Sequence, residues 1–214
     1  MVEARTEGPK GAWRRRAIIN AAIALFAKNG YEGTAIREIA DLASMNKGNL
    51  YYYFPAKDDL LFAIVDDLHN EFNRQFQQWA MVGASSEERL RSVLRGHAVL
   101  VCQTYQQTRI TYENFRFLSE ARRMLVIEKR DLYERGMARV MAEYLEETSA
   151  AATTDLGLQT RAVLGMLNWI YEWYSPTGRA SQEDVAGKIA EMALRSLKQS
   201  IEPRARDVAA STSS

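Results

Sequence analysis

Apolar residues recur along this chain at intervals of three and four, the spacing that places them on one face of a helix. Between residues 13 and 29, the positions that share this spacing are Ala17, Ile18, Ala21, Ala22, Leu25 and Phe26. The pattern predicts one amphipathic helix with a single buried stripe. Asn29-Gly30 ends it, because glycine suits the left-handed position that follows a helix. No stretch alternates with period two between turn signals, so the chain is predicted to be all-α.

Two short helices and one long helix are predicted next. Thr34 is a natural N-cap for the first short helix, and Ser44-Met45-Asn46 breaks the apolar pattern after it. The second short helix covers 47–54 and is closed by Pro55, since a proline disfavours helix in the residue before it. The long helix begins at Lys57.

The rest of the chain divides at glycines and polar clusters. Helices are predicted at 86–105, 109–120, 121–147, 155–174 and 182–200. The expected organisation is a flexible arm at 1–12, a three-helix domain at 13–60, a larger helical domain at 61–200 and a flexible tail at 201–214.

Charge is distributed unevenly along the 214 residues. Residues 1–57 hold nine Lys+Arg and five Asp+Glu, a net charge of +4, whereas the other residues hold 19 and 22, a net charge of −3. A basic head on a mildly acidic body suggests a polyanion as partner. One cysteine, Cys102, excludes an intramolecular disulfide and a Cys-rich zinc site. We therefore expect a cytoplasmic protein with no cofactor and no metal, and no membrane association.

The two short helices carry the pattern of a helix-turn-helix. The second helix bears Lys47, Gly48 and Asn49, followed by three consecutive tyrosines. Lysine and asparagine can reach phosphates or base edges, and a glycine lets the backbone approach DNA closely. At 100° per residue, three adjacent tyrosines cannot all face one core, so at least one must point to solvent.

Residues 14–61 resemble the TetR-type helix-turn-helix domain. The residues that carry this resemblance are Ile18, Ala22, Leu25-Phe26, Gly30-Tyr31, Thr34, Ile39-Ala40, Gly48 to Phe54, Lys57 and Leu60-Leu61. The resemblance implies a ligand-responsive transcriptional regulator, not an enzyme, in which a homodimer binds a palindromic double-stranded DNA operator as a repressor and a small molecule releases it. It also implies an N-terminal DNA-binding domain and a C-terminal domain for ligand binding and dimerisation.

The same resemblance implies which residues contact DNA. Thr34 matches the position that caps the second helix and touches a phosphate, and Lys57 matches a lysine that binds a phosphate. The full implied set is Thr34, Met45, Asn46, Lys47, Gly48, Asn49, Tyr51, Tyr52, Tyr53 and Lys57. Two positions depart from the family pattern. Ser44 replaces the usual glycine of the turn, and Tyr53 replaces a frequent histidine.

A segment near the C-terminus, Asn168-Trp169…Trp173-Tyr174-x-Pro176-x-Gly178, resembles TetR-type regulators that respond to acyl-CoA thioesters in lipid or sterol catabolism. In this hypothesis aromatic residues hold the acyl group and arginines hold the CoA phosphates. The residues of this expected ligand site are Tyr112, Phe115, Arg116, Arg122, Arg123, Trp169 and Trp173. The two tryptophans could instead pack across the dimer interface.

The last two helices are expected to form that interface, through the apolar residues Leu158, Ala162, Leu167, Val185, Ile189, Met192 and Leu197. Two other functions are open. A multidrug-efflux regulator would sense lipophilic cations through Glu113 or Glu172. An enzyme is disfavoured because the chain lacks a recognisable catalytic constellation, although Asp66 and His69 are spaced to share a metal.

Overall fold

The computed structural model describes residues 9–148 and 155–199. Within these ranges the chain is helical and contains no strand. A single 3-10 turn, Phe115–Phe117, follows the sixth helix. The helices are α1 Pro9–Asn29, α2 Ile36–Leu42, α3 Lys47–Tyr53, α4 Lys57–Trp79, α5 Ser86–Gln103, α6 Tyr105–Asn114, α7 Glu120–Glu147, α8 Leu156–Asn168, α9 Ile170–Trp173 and α10 Gln182–Gln199.

The described residues divide into two compact units. Unit 1 comprises residues 9–70 and 106–128, and unit 2 comprises residues 71–105, 129–148 and 155–199. The sequence places a domain boundary near residue 60, whereas the structure groups residues 106–128 with the N-terminal helices. The reason is packing, since Ile110, Leu118 and Val126 are buried in the same core cluster as α1 to α4.

Unit 1 is built around small and branched apolar side chains. Ile18 and Ala22 of α1, Ile39 of α2 and Leu50 of α3 are fully or almost fully buried in one cluster. This is the stripe that the three- and four-residue spacing predicts, and it holds the two short helices against α1 and α4. Short helices have little stability of their own, so their positions depend on this packing.

Unit 2 encloses a buried polar group. His97 of α5 lies between Tyr133 of α7, whose hydroxyl is 2.7 Å from Nδ1, and Asn168 of α8, whose Oδ1 is 3.0 Å from Nε2. Because the amide oxygen only accepts, Nε2 carries the proton and Nδ1 accepts from the tyrosine. The ring of Phe72 lies 4.9 Å from the imidazole. Burial lowers the pKa of His97 to about 4, so the imidazole is neutral.

Three element boundaries differ from the predicted ones. Residues 9–12 of the expected arm belong to helix α1. The helix predicted at 109–120 begins at Tyr105 and ends at Asn114. The helix predicted at 155–174 is divided at Trp169 into α8 and α9.

Arm residues 1–8, part of the loop at 148–154 and the expected tail at 201–214 lie outside the described residues. None of the helices that the structure describes is long and apolar enough to cross a membrane.

Candidate functional site

Helix α3 presents a polar and aromatic face to solvent. Asn46 is its N-cap and accepts a hydrogen bond from the backbone N–H of Asn49 at 2.8 Å. Leu50 is buried and anchors the helix, while Lys47 and Asn49 are exposed. The side chains of the exposed face are therefore available to a partner, and Asn46 has a structural role in addition to its predicted contact with DNA.

The three tyrosines of α3 separate as the helical rotation requires. Tyr52 is 68% exposed and Tyr51 is 39% exposed, while Tyr53 is half-buried and packs against the core cluster of unit 1. The ammonium of Lys47 lies 5.5 Å from the centre of the Tyr51 ring. Tyr51 and Tyr52 can donate their hydroxyls to phosphate oxygens, whereas Tyr53 mainly anchors the helix.

Gly48 has no conformational reason to be glycine. Its φ angle lies outside the left-handed region, and a methyl group added to it would meet only Asn46 Oδ1, at 3.4 Å. Alanine is the better helix former, so stability alone would favour it here. The absence of a side chain is consistent with close approach of a partner to the helix backbone.

Ser44, at the position where the family pattern has a glycine, adopts a left-handed backbone conformation. Its φ angle is +55°, in the left-handed region that L-residues other than asparagine and aspartate seldom occupy. The turn between α2 and α3 therefore keeps the geometry of a glycine-containing turn at some conformational cost.

The predicted capping role of Thr34 is wrong. Ala35 is the N-cap of α2, and the carboxylate of Glu38 accepts a hydrogen bond from its N–H at 2.7 Å. The Thr34 side chain is buried, and its hydroxyl donates to the carbonyls of Gly30 at 2.8 Å and Leu25 at 3.2 Å. It therefore ties the loop before α2 to the end of α1, and its hydroxyl does not face solvent.

Lys57 is engaged inside unit 1. Its ammonium donates to the carbonyls of Tyr31 at 2.7 Å, Thr34 at 3.0 Å and Glu32 at 3.3 Å, and it lies 4.5 Å from the centre of the Tyr31 ring. An ammonium has three hydrogens, and these three acceptors use all of them. Lys57 therefore fastens the loop between α1 and α2 to the start of α4, which leaves no hydrogen for a phosphate.

Arg122 is paired with two carboxylates. Its guanidinium donates one hydrogen bond to Asp58 and another to Asp59, at the start of α4. Burial by itself would lower the pKa of Arg122, but hydrogen bonding to Asp59 and the charges of both aspartates raise it. Its positive charge is already neutralised, so the prediction that Arg122 binds CoA phosphates loses its physical basis.

The other expected ligand residues of unit 1 are distributed over α6, the 3-10 turn and α7. Phe115 is half-buried against the core cluster, and Tyr112 is 44% exposed. Arg116 is exposed, with its guanidinium 4.8 Å from the centre of the Phe117 ring. Arg123 is half-buried and has no ion pair among the described residues. Arg116 and Arg123 are therefore the two arginines of the set that could still receive an anion.

Trp169 and Trp173 belong to unit 2, and they are 58% and 51% exposed. Trp169 follows the end of α8 and continues a line of exposed positions on that helix. The members of this line, which we call the α8 stripe, are Leu158, Ala162, Gly165 and Trp169.

Three residues expected at the dimer interface are instead buried within the subunit. Leu167, Val185 and Leu197 belong to its core. Their apolar spacing correctly predicts buried helix faces, but these faces pack against other helices of the same chain. Leu158 and Met192 of the expected set remain largely exposed.

A groove in unit 2 was not anticipated from the sequence. It has a volume of about 420 Å³ and lies between the end of α4 and α5, with Trp79, Gln75, Arg95, Leu100 and Gln103 among its lining residues. Gly96 makes room for the indole, because a methyl group there would approach Trp79 to 2.4 Å. The pairing of a bulky indole with a glycine 17 positions later carries no local signal, so the sequence could not reveal this groove.

The alternative chemistries receive little support from the geometry. His69 uses Nδ1 to donate to the carbonyl of Val65 at 2.7 Å, while Asp66 accepts from Asn70 at 3.0 Å. Within the described part of the chain, no group of three potential metal ligands occurs. Glu113 lies 4.0 Å from Arg109, which offsets the negative charge that a cation sensor would need.

Residues in the N-terminal part of the chain and residues in its C-terminal part both match families of tetR-type proteins. Residues 18–64 match the family described as "Bacterial regulatory proteins, tetR family". Residues 83–197 match the family described as "Tetracyclin repressor-like, C-terminal domain". The first match contains α2, α3 and the turn between them, which are the elements of the predicted helix-turn-helix.

Individual relatives match over most of their length. The HTH-type transcriptional repressor KstR2 of Mycolicibacterium smegmatis is 25% identical over 191 residues, covering 88% of this chain and 93% of that protein. AibR, in a crystal structure with isovaleryl coenzyme A and operator DNA, is 29% identical in sequence to this chain, with a TM-score of 0.73. The match covers 84% of this chain and 97% of AibR. The regulator PfmR from Thermus thermophilus is 28% identical, with a TM-score of 0.76, and the match covers 83% of this chain and 97% of PfmR.

Proposed function

Because the chain belongs to the tetR family of bacterial regulatory proteins, we propose that it is a transcriptional repressor that an acyl-CoA thioester releases from its operator. The observation that carries the DNA-binding part is the exposed face of α3, whose lysine, asparagine and tyrosine side chains have spare hydrogen-bonding capacity. Members of this family are regulators and not enzymes, and the chain is one of them. A cytoplasmic location follows from this role, since the operator is there.

The recognition step uses α3 in the major groove. Lys47 and Asn49 face outward at the start of the helix, where side chains of a recognition helix contact base edges. Tyr51 and Tyr52 contact phosphates on either side, and Gly48 brings the backbone close to the DNA. The buried neighbours Leu50 and Tyr53 determine which face of α3 is presented.

A homodimer supplies two such helices. The α8 stripe supports this part of the proposal, because small residues at its centre let a second helix approach and Trp169 adds a large apolar surface. Aromatic residues are favoured at the centres of protein interfaces. A twofold axis through this stripe relates the two recognition helices, and a palindromic operator mirrors that symmetry.

The effector class is inferred from the relatives and from the free arginines. AibR, at 29% identity, is described with isovaleryl coenzyme A bound, so a thioester of this kind is the first candidate. Its phosphates need cations, and Arg116 and Arg123 in unit 1 and Arg95 in the groove of unit 2 have no ion pair among the described residues. We place the phosphates at Arg116 and Arg123, with Tyr112 and Phe115 beside the acyl group, and treat the groove as the competing location.

Release follows from a shift in population. The effector binds better to a dimer whose recognition helices are wrongly spaced for two successive major grooves, so it lowers the affinity for DNA. Coupling of this kind is typically about 1–3 kcal/mol, a roughly 5- to 150-fold loss in affinity. The free energy of effector binding must therefore differ by about 1–3 kcal/mol between the DNA-binding dimer and the released dimer.

The test is a gel-shift titration on an operator selected from random duplexes by the protein itself. Isovaleryl-CoA and longer acyl-CoA thioesters are compared with the matching free acids. We expect the thioesters alone to release the DNA, and we expect Arg116→Gln/Arg123→Gln to require a higher concentration. The control variant, Arg135→Gln/Arg139→Gln, removes the same charge from exposed positions farther along α7.

The outcomes separate the alternatives. If Arg95→Gln weakens the response and Arg116→Gln/Arg123→Gln does not, the effector binds in the groove of unit 2. If free acids are as potent as thioesters, the arginines do not hold CoA phosphates. If no thioester acts and lipophilic cations release the DNA, the protein is an efflux regulator.

A further inference from the structure

The groove of unit 2 combines an aromatic wall with polar side chains along its edge. It lies between the end of α4 and α5 and has a volume of about 420 Å³. Sites for small molecules in proteins have volumes of about 300–1,000 Å³, so this groove suits a compact ligand. Its α5 side is formed by Ser92, Gly96, Val99 and Gln103, which steps of three and four residues place on one face of the helix.

The aromatic wall depends on a specific pairing between the two helices. A methyl group on Gly96 would approach Cδ2 and Cε2 of Trp79 to 2.4 Å and Nε1 to 2.6 Å. The indole therefore lies directly against the backbone of α5, where only glycine leaves room for it. Val99, which is half-buried, and Leu100, which is buried, continue the apolar lining beside the ring. A surface of this kind favours a flat aromatic ligand, because aromatic rings gain contact area and stacking energy together.

The edge of the groove carries the unpaired arginine of α5. Arg89 and Arg91 form ion pairs with glutamates of α7 and α10. Arg95 is exposed, lines the groove and has no ion pair among the described residues. Ser92 and Gln103 also line the groove, and neither side chain makes a hydrogen bond within the described structure. One guanidinium and two neutral polar groups are thus available to a ligand.

The charge of the groove indicates a ligand with one negative charge. Glu71, one turn before Gln75 on α4, is 2.5 Å from the guanidinium of Arg74, which offsets its charge. Arg95 therefore contributes an uncompensated charge of one unit. A guanidinium pairs with one carboxylate through two parallel hydrogen bonds. Coenzyme A carries several phosphate charges, so the groove fits a monocarboxylate better than it fits an acyl-CoA thioester.

We propose that the groove of unit 2 is a binding site for a planar aromatic monocarboxylate, separate from the effector site proposed above. The carboxylate pairs with the guanidinium of Arg95, and the ring packs against Trp79 and Val99. Ser92 and Gln103 donate hydrogen bonds to polar substituents at the edge of the ligand. The site does not depend on DNA binding, so its test is independent of the test of the proposed function.

The test follows the indole N–H signals of the four tryptophans by NMR in the isotope-labelled full-length protein. Trp79→Phe identifies the signal of Trp79. The probes are naphthoate, the uncharged naphthamide, which keeps the ring, and octanoate, which keeps the carboxylate without a ring. Calorimetric titration with the same three probes measures their dissociation constants.

Naphthoate is expected to shift the Trp79 signal and to leave the signals of the other three tryptophans in place. Naphthamide and octanoate should each bind roughly 10-fold more weakly or worse, because one lacks the charge-assisted hydrogen bonds and the other lacks the stacking ring. Arg95→Gln should weaken naphthoate binding by a similar factor and leave naphthamide binding unchanged. Arg95→Lys keeps the charge and should lose less. The matched control, Arg135→Gln, removes a charge from an exposed position of unit 2 and should change nothing.

Four results would overturn the proposal. If naphthoate does not shift the Trp79 signal, the groove does not bind an aromatic acid. If naphthamide or octanoate binds the wild-type protein as tightly as naphthoate, the charge or the ring is not recognised. If Arg135→Gln weakens naphthoate binding as much as Arg95→Gln, only total charge matters. If isovaleryl-CoA displaces naphthoate and itself shifts the Trp79 signal, the groove is the effector site and not a separate one.

Discussion

The exposed face of α3 in unit 1 and the buried cluster around His97 in unit 2 use polar side chains in opposite ways. On α3, Lys47, Asn49 and Tyr52 point to solvent. In unit 2, His97 and Tyr133 are buried, and the two nitrogens of the imidazole are both hydrogen-bonded. On α3 the nitrogen and oxygen atoms of the side chains remain available to a partner. In the His97 cluster the nitrogen and oxygen atoms are hydrogen-bonded to one another.

This contrast distinguishes the polar side chains that can bind a partner from those that stabilise the fold. A buried polar group without a partner is costly, so a polar group in a core must have its partners within the protein. An exposed polar group is satisfied by water and can exchange it for a ligand. Lys57 and Arg122 resemble site residues in the sequence but behave like the His97 cluster, because Lys57 donates three hydrogen bonds to backbone carbonyls and Arg122 pairs with two carboxylates of its own chain.

The largest expected effect tests the buried cluster through pH. The folded-state pKa of His97 is about 4 and its ordinary value is 6.5, so between these values the unfolded chain binds more protons. Stability is therefore lost as pH falls from 6.5 to about 4, by roughly 3 kcal/mol in total. Urea unfolding of wild type and His97→Gln over this range measures the difference.

His97→Gln is the suitable comparison because glutamine can hydrogen-bond but does not titrate. The variant is less stable than wild type at neutral pH and should lose less stability on acidification. Parallel pH profiles of the two proteins would show that His97 is not buried as a neutral group.

The second prediction contrasts the two lysines of the helix-turn-helix region. Lys57→Ala removes hydrogen bonds from a charged group to three carbonyls and should lower the free energy of unfolding by about 2 kcal/mol. It should leave the salt dependence of DNA binding unchanged. Lys47→Ala should do the reverse, with little effect on stability and a slope of log K against log salt reduced by about one.

Urea unfolding and salt-dependent anisotropy on the same two variants decide this contrast. If Lys57→Ala reduces the slope by about one and leaves stability unchanged, Lys57 binds a phosphate, as the family resemblance implies. The side-chain contacts around Lys57 would then change when DNA binds.

The smallest expected effect concerns Gly48. Alanine fits sterically and is the better helix former, so Gly48→Ala should leave stability unchanged or raise it by up to about 1 kcal/mol. Operator affinity should fall by roughly 1 kcal/mol, the scale of one lost contact. Gly187→Ala on α10, where an added methyl meets nothing within 4 Å, is the matched control. Improved stability with undiminished affinity would place Gly48 away from the DNA.

Much of unit 1 could be predicted because its signals are local. The apolar spacing of α1, the break at Ser44 and the stop at Pro55 lie within a few residues of the elements that they define. The helix boundaries at Asn114 and Trp169 were missed. Apolar spacing continues through both positions, so periodicity alone gives no sign that the chain leaves the helix there.

The order of residues was enough to establish the helical class, the helix-turn-helix with its exposed tyrosine and the family to which the chain belongs. Which of the candidate side chains are available to a partner depends instead on how the helices pack. Thr34 and Lys57 bind carbonyls up to 26 residues away, and Arg122 pairs with carboxylates 63 and 64 residues away. Periodicity reports which face of a helix is buried, but a hydrogen bond or an ion pair depends on where two distant segments meet, and that is set by packing.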